Sequence, residues 1–179
     1  SMLARMKTRQ FGILIGATAV SAMGAWDDQR RVRPLLKMGV QVAAALFVVT
    51  SGTQVVLFAN PVIDYAIAVF WFVGITNALN LLDNMDGLSG GVAALASAFF
   101  LVLALLNGQF LVATLSAALL GACLGFLRYN FNPASIFMGD AGSLFLGFIL
   151  AAVGIRLRFP DQLTVISWMI PIFVLGIPL

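Results

Sequence analysis

Residues 77–91 read NALNLLDNMDGLSGG. An apolar run, 63–82, leads into this stretch, and another leaves it at Leu88. Within it sit Asn77, Asn80, Asp83, Asn84 and Asp86, followed by Gly87, Gly90 and Gly91. A carboxylate at the end of a membrane-length apolar segment is costly to keep there and usually has a function. Two other stretches fit the same description: Ala25-Trp26-Asp27-Asp28 and Phe137-Met138-Gly139-Asp140. The remaining chain reads as scaffolding that brings the three together.

Composition fixes the solvent. Of 179 residues, 61% are hydrophobic and only 9% charged, with a mean hydropathy of +1.04. Polar surface is too scarce to cover a soluble domain, so the chain is an integral membrane protein, and the spans below make it all-α. Basic residues cluster at Arg30, Arg31, Arg33 and Lys37 and near the two ends, where they set topology and meet lipid head groups. No basic stripe runs over a soluble domain, which excludes nucleic acid as a partner. Cys123 is the single cysteine, so an intrachain disulfide is excluded. Histidine and glutamate are both absent, which removes His-based acid–base chemistry and the common zinc sites.

Seven apolar segments follow in order: 10–26, 38–58, 62–82, 88–106, 110–127, 141–159 and 163–179. At ~1.5 Å per residue they measure roughly 26–31 Å, close to the hydrocarbon thickness. A spanning backbone must satisfy its own hydrogen bonds, so about seven transmembrane helices are expected, forming one domain over 1–179. The second segment is interrupted at Ser51-Gly52, and 53–58 reads as a short extended piece. Pro171 and Pro178 are expected to kink the last helix. Gly16, Gly24, Gly147 and Gly154 suit close helix packing, and Gly121-x-x-x-Gly125 is a small-residue contact motif.

Parity places the acids. Two spans separate Asp28 from Asp83, and two more separate Asp86 from Asp140. All three acidic stretches therefore share one membrane face, while Asp64 and Asp161 fall on the other as loop acids. The positive-inside rule does not orient the chain. Arg30, Arg31, Arg33, Lys37 and Arg128 on the acidic face balance Arg5, Lys7, Arg9, Arg156 and Arg158 opposite.

Five carboxylates on one face, Asp27, Asp28, Asp83, Asp86 and Asp140, repel one another at low dielectric. A divalent cation relieves that repulsion. Oxygen ligands without His or Cys select magnesium, manganese or calcium, and magnesium points to a phosphate-bearing substrate. The blander reading is that the acids cap helices and tie loops. The glycine turns after Asp86 and around Asp140 each open a helix, where backbone N–H groups can meet phosphate. In the polar, aromatic loop 128–138, Phe137 can stack on a planar ring and Asn130 can hydrogen-bond its edge.

In order and spacing, these three blocks resemble the signature blocks of the polyprenyl-phosphate N-acetylhexosamine-1-phosphate transferases. That superfamily includes the phospho-MurNAc-pentapeptide translocase and the undecaprenyl-phosphate GlcNAc-1-phosphate transferases. The resemblance covers the chain from Gln10 onward. It implies transfer of a sugar 1-phosphate from a UDP-sugar to a membrane polyprenyl phosphate at the cytoplasmic face of the cell membrane. The products are polyprenyl-diphosphate-sugar and UMP, with Mg2+ (or Mn2+) required. It further implies that Asp140 is the principal metal ligand and Asn80 a second. Asp86 meets the uracil edge, Phe137 stacks on uracil, and Asn130 lines the nucleoside pocket with Asn77 also on the substrate side. Asp83 lies by the nucleotide, Asp27 and Asp28 lie near the attacking lipid phosphate, and Lys37 lies near the phosphates. A homodimer is a further expected partner.

The acidic pair followed by RRVRPLLK looks closer to the GlcNAc-1-phosphate branch, from UDP-GlcNAc, than to the MurNAc-pentapeptide branch. The family's earlier helices and its later His/Arg-rich loop have no counterpart in this sequence, so the chain reads as an internal fragment. Two rivals follow. An inactive lipid- or nucleotide-binding fragment is favoured by the missing loop. A cation-coupled transporter is disfavoured, because the acids sit at segment ends and no halves repeat.

Overall fold

Proline and glycine set most of the helix boundaries. The computed structural model describes residues 2–53, 60–159 and 171–176, and side chains from Phe11 onward. Among the described residues the chain forms six long helices and no strand. Helix α1 spans Met2–Arg30 and contains the expected 10–26 segment inside a longer helix. Helix α2, Pro34–Thr50, starts on a proline, whose fixed φ and missing N–H suit that position. Helix α3, Pro61–Leu82, also opens on proline, and the Asn60 side chain accepts from Val62 N at 3.1 Å as its N-cap. Helix α4, Leu88–Leu106, begins after Gly87, which holds a left-handed φ of 73°. Helices α5, Phe110–Asn130, and α6, Gly139–Arg156, complete the series.

Four of these, α3 to α6, are long and apolar enough to cross a membrane, and α2 is a shorter apolar helix of 17 residues. The chain is thus a multi-pass, all-α membrane protein. The seventh segment and Asp161 lie largely outside the described residues, where only a helical turn at 171–174 is seen. The extended piece expected at 53–58 also falls outside them, apart from Thr53.

Four expected boundaries move toward the acidic face, the first where α1 runs on to Arg30 instead of stopping at 26. Helix α2 begins at Pro34 rather than at 38, so Lys37 is helical, and it ends at Thr50, where Gly52 takes φ 105°. Helix α5 runs on to Asn130 instead of stopping at 127. Helix α6 starts at Gly139, which puts Asp140 in its first turn. Hydropathy windows stop at the first polar residues, whereas backbone hydrogen bonding carries the helix through them.

Helix α6 is the centre. Residues 146–155 are all buried, as expected of a helix that is apolar on every side. Helices α1 and α3 pack along it, α2 bridges α1 and α3, and the α4–α5 hairpin closes the other side. Glycine sets the approach at two contacts. A Cβ on Gly147 would stand 2.6 Å from the Thr76 Cα, and one on Gly24 would stand 2.5 Å from the Asp140 carbonyl oxygen. Phe72 and Phe148 fill the α3–α6 interface with ring centroids 4.7 Å apart. The ends of α1, α3 and α5 thereby meet the starts of α2, α4 and α6 on one face. Asp64, in the first turn of α3, is buried at the opposite end of that helix.

Candidate active site

The first turns of α2 and α6 and the last turns of α1 and α3 converge on one ammonium group. Lys37 Nζ donates to Asp27 Oδ2 at 3.1 Å, to Asn80 Oδ1 at 3.4 Å, and to Asp140 Oδ2. Asn80 turns its amide the other way toward acceptors: Nδ2 donates to Asp140 Oδ1 at 2.6 Å and to Ser143 Oγ at 2.9 Å. Its orientation is chemically forced, because the carbonyl end faces a cation and the amino end a carboxylate. Four residues expected from sequence, Asp27, Lys37, Asn80 and Asp140, thus form one connected cluster across as many as 113 positions of chain.

The two members of the acidic pair do different work. Asp27 faces inward and also accepts from Val32 N at 2.6 Å, which closes the α1–α2 turn. Asp28 reaches α6: its Oδ1 accepts from Asp140 N at 2.9 Å and its Oδ2 from Ala141 N at 3.2 Å. Those N–H groups are unsatisfied donors of a helix start, where a negative charge is also favoured by the dipole. Gly139 makes this possible, with φ at 66° and no side chain where Asp28 sits; a Cβ there would be 2.8 Å from Asp28 Oδ2. Asp28 is accordingly bound to backbone, not poised in the cluster.

Asp83 follows α3 and hydrogen-bonds the backbone of Gly139. Burial pushes its carboxyl up to about 6; the Gly139 bond pulls the other way, and the nearby Asp140 and Asp28 charges add to the rise. Asp83 therefore keeps its proton to higher pH than an ordinary carboxyl, beside the cluster.

A second group organises the loop 131–138. Asp86 Oδ2 accepts from Ala134 N at 3.0 Å and from Asn132 Nδ2 at 3.3 Å. Asn130, 4% exposed, accepts from Gly87 N at 3.0 Å and donates to Ile136 O at 2.9 Å. Asn130 thus ties the Gly87 turn to the loop rather than lining an open pocket. Phe137 stands out at 78% exposed, its ring uncovered beside Met138 and Gly139. Asn77, like Asp28 and Asp83, is an expected site residue outside both groups. It lies one turn below Asn80 on α3, paired with Gln41 of α2. Gln41 is a site-proximal residue that the motif reading passed over. Its signal was present: a lone amide in an apolar run, one helical turn after Lys37.

The donor set suits a hard cation. Among the described residues no three His, Cys, Asp or Glu side chains converge on one point. Two carboxylates and one amide carbonyl do converge, on Lys37 Nζ, and all three donors are oxygen. That chemistry fits magnesium or manganese rather than zinc or copper.

The sequence pattern of glycosyl transferase family 4 matches residues 10–158, and the chain belongs to this family. A probable undecaprenyl-phosphate N-acetylglucosaminyl 1-phosphate transferase of Bacillus subtilis (strain 168) is 37% identical over 182 residues, covering 97% of this chain and 51% of the relative. A phospho-N-acetylmuramoyl-pentapeptide-transferase of Limosilactobacillus fermentum is 38% identical over 169 residues, covering 87% and 53%. Another so named, from Chlamydia trachomatis, is 48% identical over 99 residues, covering 54% and 30%. The chain spans about half the length of the curated relatives it matches.

Proposed function

We propose that this member of glycosyl transferase family 4 carries the catalytic centre of a sugar-1-phosphate transferase. The donor is a UDP-sugar, with UDP-GlcNAc the first choice, and the acceptor is a polyprenyl phosphate such as undecaprenyl phosphate. The observation that carries this reading is the all-oxygen cradle that Asp27, Asn80 and Asp140 form around the Lys37 ammonium group at one membrane face. We place that face on the cytoplasmic side, where a nucleotide-sugar is available.

The reaction is a single displacement. A lipid phosphate oxygen forms a bond to the phosphorus that carries the sugar, and the bond from that phosphorus to the bridging oxygen breaks. UMP leaves with the bridging oxygen, and the lipid keeps the sugar on a diphosphate. Such chemistry needs alignment and charge neutralisation more than a strong base. Lys37 supplies one positive charge at the end of a membrane helix. Asp140 and Asn80, with Asp27, would hold magnesium, which supplies further neutralisation of the phosphate oxygens when bound. Asp28 fixes the start of α6 so that Asp140 points into the cluster. Phe137 offers an exposed ring for the nucleobase, and Asp86 and Asn130 hold the loop that carries it. On α5, nothing among the described residues lies within 4 Å of where a Cβ would stand on Gly121 or Gly125, which leaves room for a second copy there.

Phospho-MurNAc-pentapeptide transfer is the second reading, favoured by the 38% identity to a relative of that name. The test is Asp140→Asn in the full-length enzyme. The variant is expected in the membrane at parental level, with magnesium-dependent exchange of UMP into UDP-sugar reduced by on the order of 10²–10³. Near-parental exchange at limiting magnesium would remove Asp140 from the metal and with it the central assignment. Exchange into UDP-GlcNAc against UDP-MurNAc-pentapeptide separates the two readings.

A further inference from the structure

Below the ionic cluster, on its membrane side, α2 and α3 share a second polar contact. Asn77 Nδ2 donates to Gln41 Oε1 at 2.6 Å, and Gln41 Nε2 donates back to Asn77 Oδ1 at 3.4 Å. Asn77 Nδ2 gives its other proton to Val73 O at 2.8 Å. Both amino protons of Asn77 are therefore committed, and its carbonyl oxygen faces Gln41. Gln41 is 1% exposed. An amide so buried among apolar helices is expensive unless paired, so each of these two residues dictates where the other must be.

The spacing explains what the pair controls. Gln41 lies four residues after Lys37 on α2, and Asn77 three before Asn80 on α3. The two helices run in opposite directions, so Lys37–Asn80 and Gln41–Asn77 are successive rungs between the same two faces. A slip of one residue shifts a helix about 1.5 Å along its axis and turns the face by about 100°. That slip breaks the amide pair and carries Lys37 away from Asn80 and Asp140. The upper rung is ionic and open to exchange with substrate charge. The lower rung is neutral and reciprocal, with Gln41 buried and Asn77 half-buried, so it can hold register if the upper one exchanges partners.

We propose that Gln41 and Asn77 are positioning residues, a register lock that holds Lys37 against Asn80 and Asp140, and that Asn77 does not bind substrate. This rests on reading the Lys37 cluster as the reacting centre.

The experiment uses the full-length enzyme in membranes and two readouts. The first requires no activity. With other reactive cysteines removed, Lys37→Cys and Asn80→Cys are joined by a short bifunctional thiol reagent, and the cross-linked fraction reports the α2–α3 register. The second is the kcat and KM of sugar-phosphate transfer with Lys37 and Asn80 intact. Gln41→Leu and Asn77→Leu should each lower cross-linking more than threefold. Each should lower kcat more than tenfold while the KM for UDP-sugar stays within twofold. Gln41→Asn and Asn77→Gln alone should behave similarly, and their combination, which restores an amide pair of the same total length, should recover both readouts to within threefold. If the leucine variants do not insert, the polar singles and their combination decide alone. Unchanged cross-linking in the single variants overturns the proposal. So does a raised KM in Asn77 variants with Gln41 variants parental, which would make Asn77 a substrate ligand. An inactive parent whose cross-linking still depends on Gln41 keeps the register lock and refutes the transferase reading instead.

Discussion

Replacing Gly24 by alanine tests the closest helix contact at the site. The added Cβ would lie 2.5 Å from the Asp140 carbonyl oxygen, 2.6 Å from its carbon and 2.7 Å from Ala141 N, whereas ordinary contact begins near 3.4 Å. All three are backbone atoms of the first turn of α6, which cannot rotate aside. The helices must therefore part by roughly 0.9 Å, a shift that carries Asp27 and Asp28 with α1. The Asp28 bonds to Asp140 N and Ala141 N, now 2.9 and 3.2 Å, would stretch to nearly 4 Å, beyond hydrogen-bond range. Overpacking costs ~1–3 kcal/mol, and losing charge-assisted bonds adds about 1.5–3 kcal/mol. Misplacing a reacting group by about 1 Å costs on the order of 10² in rate. In the full-length enzyme, Gly24→Ala should lower the thermal midpoint by several degrees and UMP exchange about 100-fold. Gly39→Ala, where nothing lies within 4 Å among the described residues, is the matched control and should leave both unchanged. Exchange within twofold of parental in Gly24→Ala, at unchanged midpoint, would refute the close α1–α6 docking.

Two further outcomes are expected. Asp83, raised from its ordinary 3.8 to about 6, holds a proton in the folded state that the unfolded chain releases between pH about 4 and 6. Stability should therefore fall as pH rises through that window and stay lower above it. Asp83→Asn should be more stable than parent at pH 7.5 with chelator present, by on the order of 1 kcal/mol once solvent screening is allowed for, and the gain should vanish below pH about 4. Thermal scans against pH check this, and a gain independent of pH would show that burial of charge is not its source. Phe137→Ala should weaken UMP binding to the full-length enzyme by about 1–3 kcal/mol, read by calorimetry. Unchanged affinity would return that ring to contact with lipid.

Much of this site was legible because charge in a membrane is rare. Asp27, Asp140, Asn80 and Lys37 each stand at the end of an apolar run, and counting spans alone placed Asp28, Asp83 and Asp140 on one face. The structure does bring the four former residues into one cluster. What sequence could not supply was the division of labour within a motif. Asp27 and Asp28 are adjacent on α1, so successive side chains point about 100° apart, one to Lys37 and the other to α6. Asn130 was legible as polar and near the loop, but not as a buried tie with both ends of its amide engaged. Gln41 carried no motif at all, and its meaning appears only when Asn77 stands opposite.

The arrangement also explains why three carboxylates gather around a single lysine at this face. The start of α6 is a positive helix end, and Asp28 occupies it permanently. Asp140, leaving the same turn, is thereby kept from folding back onto its own backbone N–H groups and presents its carboxylate to Asn80 and Lys37. A phosphate approaching the cluster meets a helix start already neutralised by Asp28, so attraction must come from Lys37 and from any cation held by Asp27, Asn80 and Asp140. On the proposed reaction, Lys37 alone would leave two carboxylates and a diphosphate unbalanced, and a bound divalent cation would close the charge. The same balance makes the geometry between α2 and α3 consequential, since one ammonium group serves three oxygen acceptors that come from α1, α3 and α6.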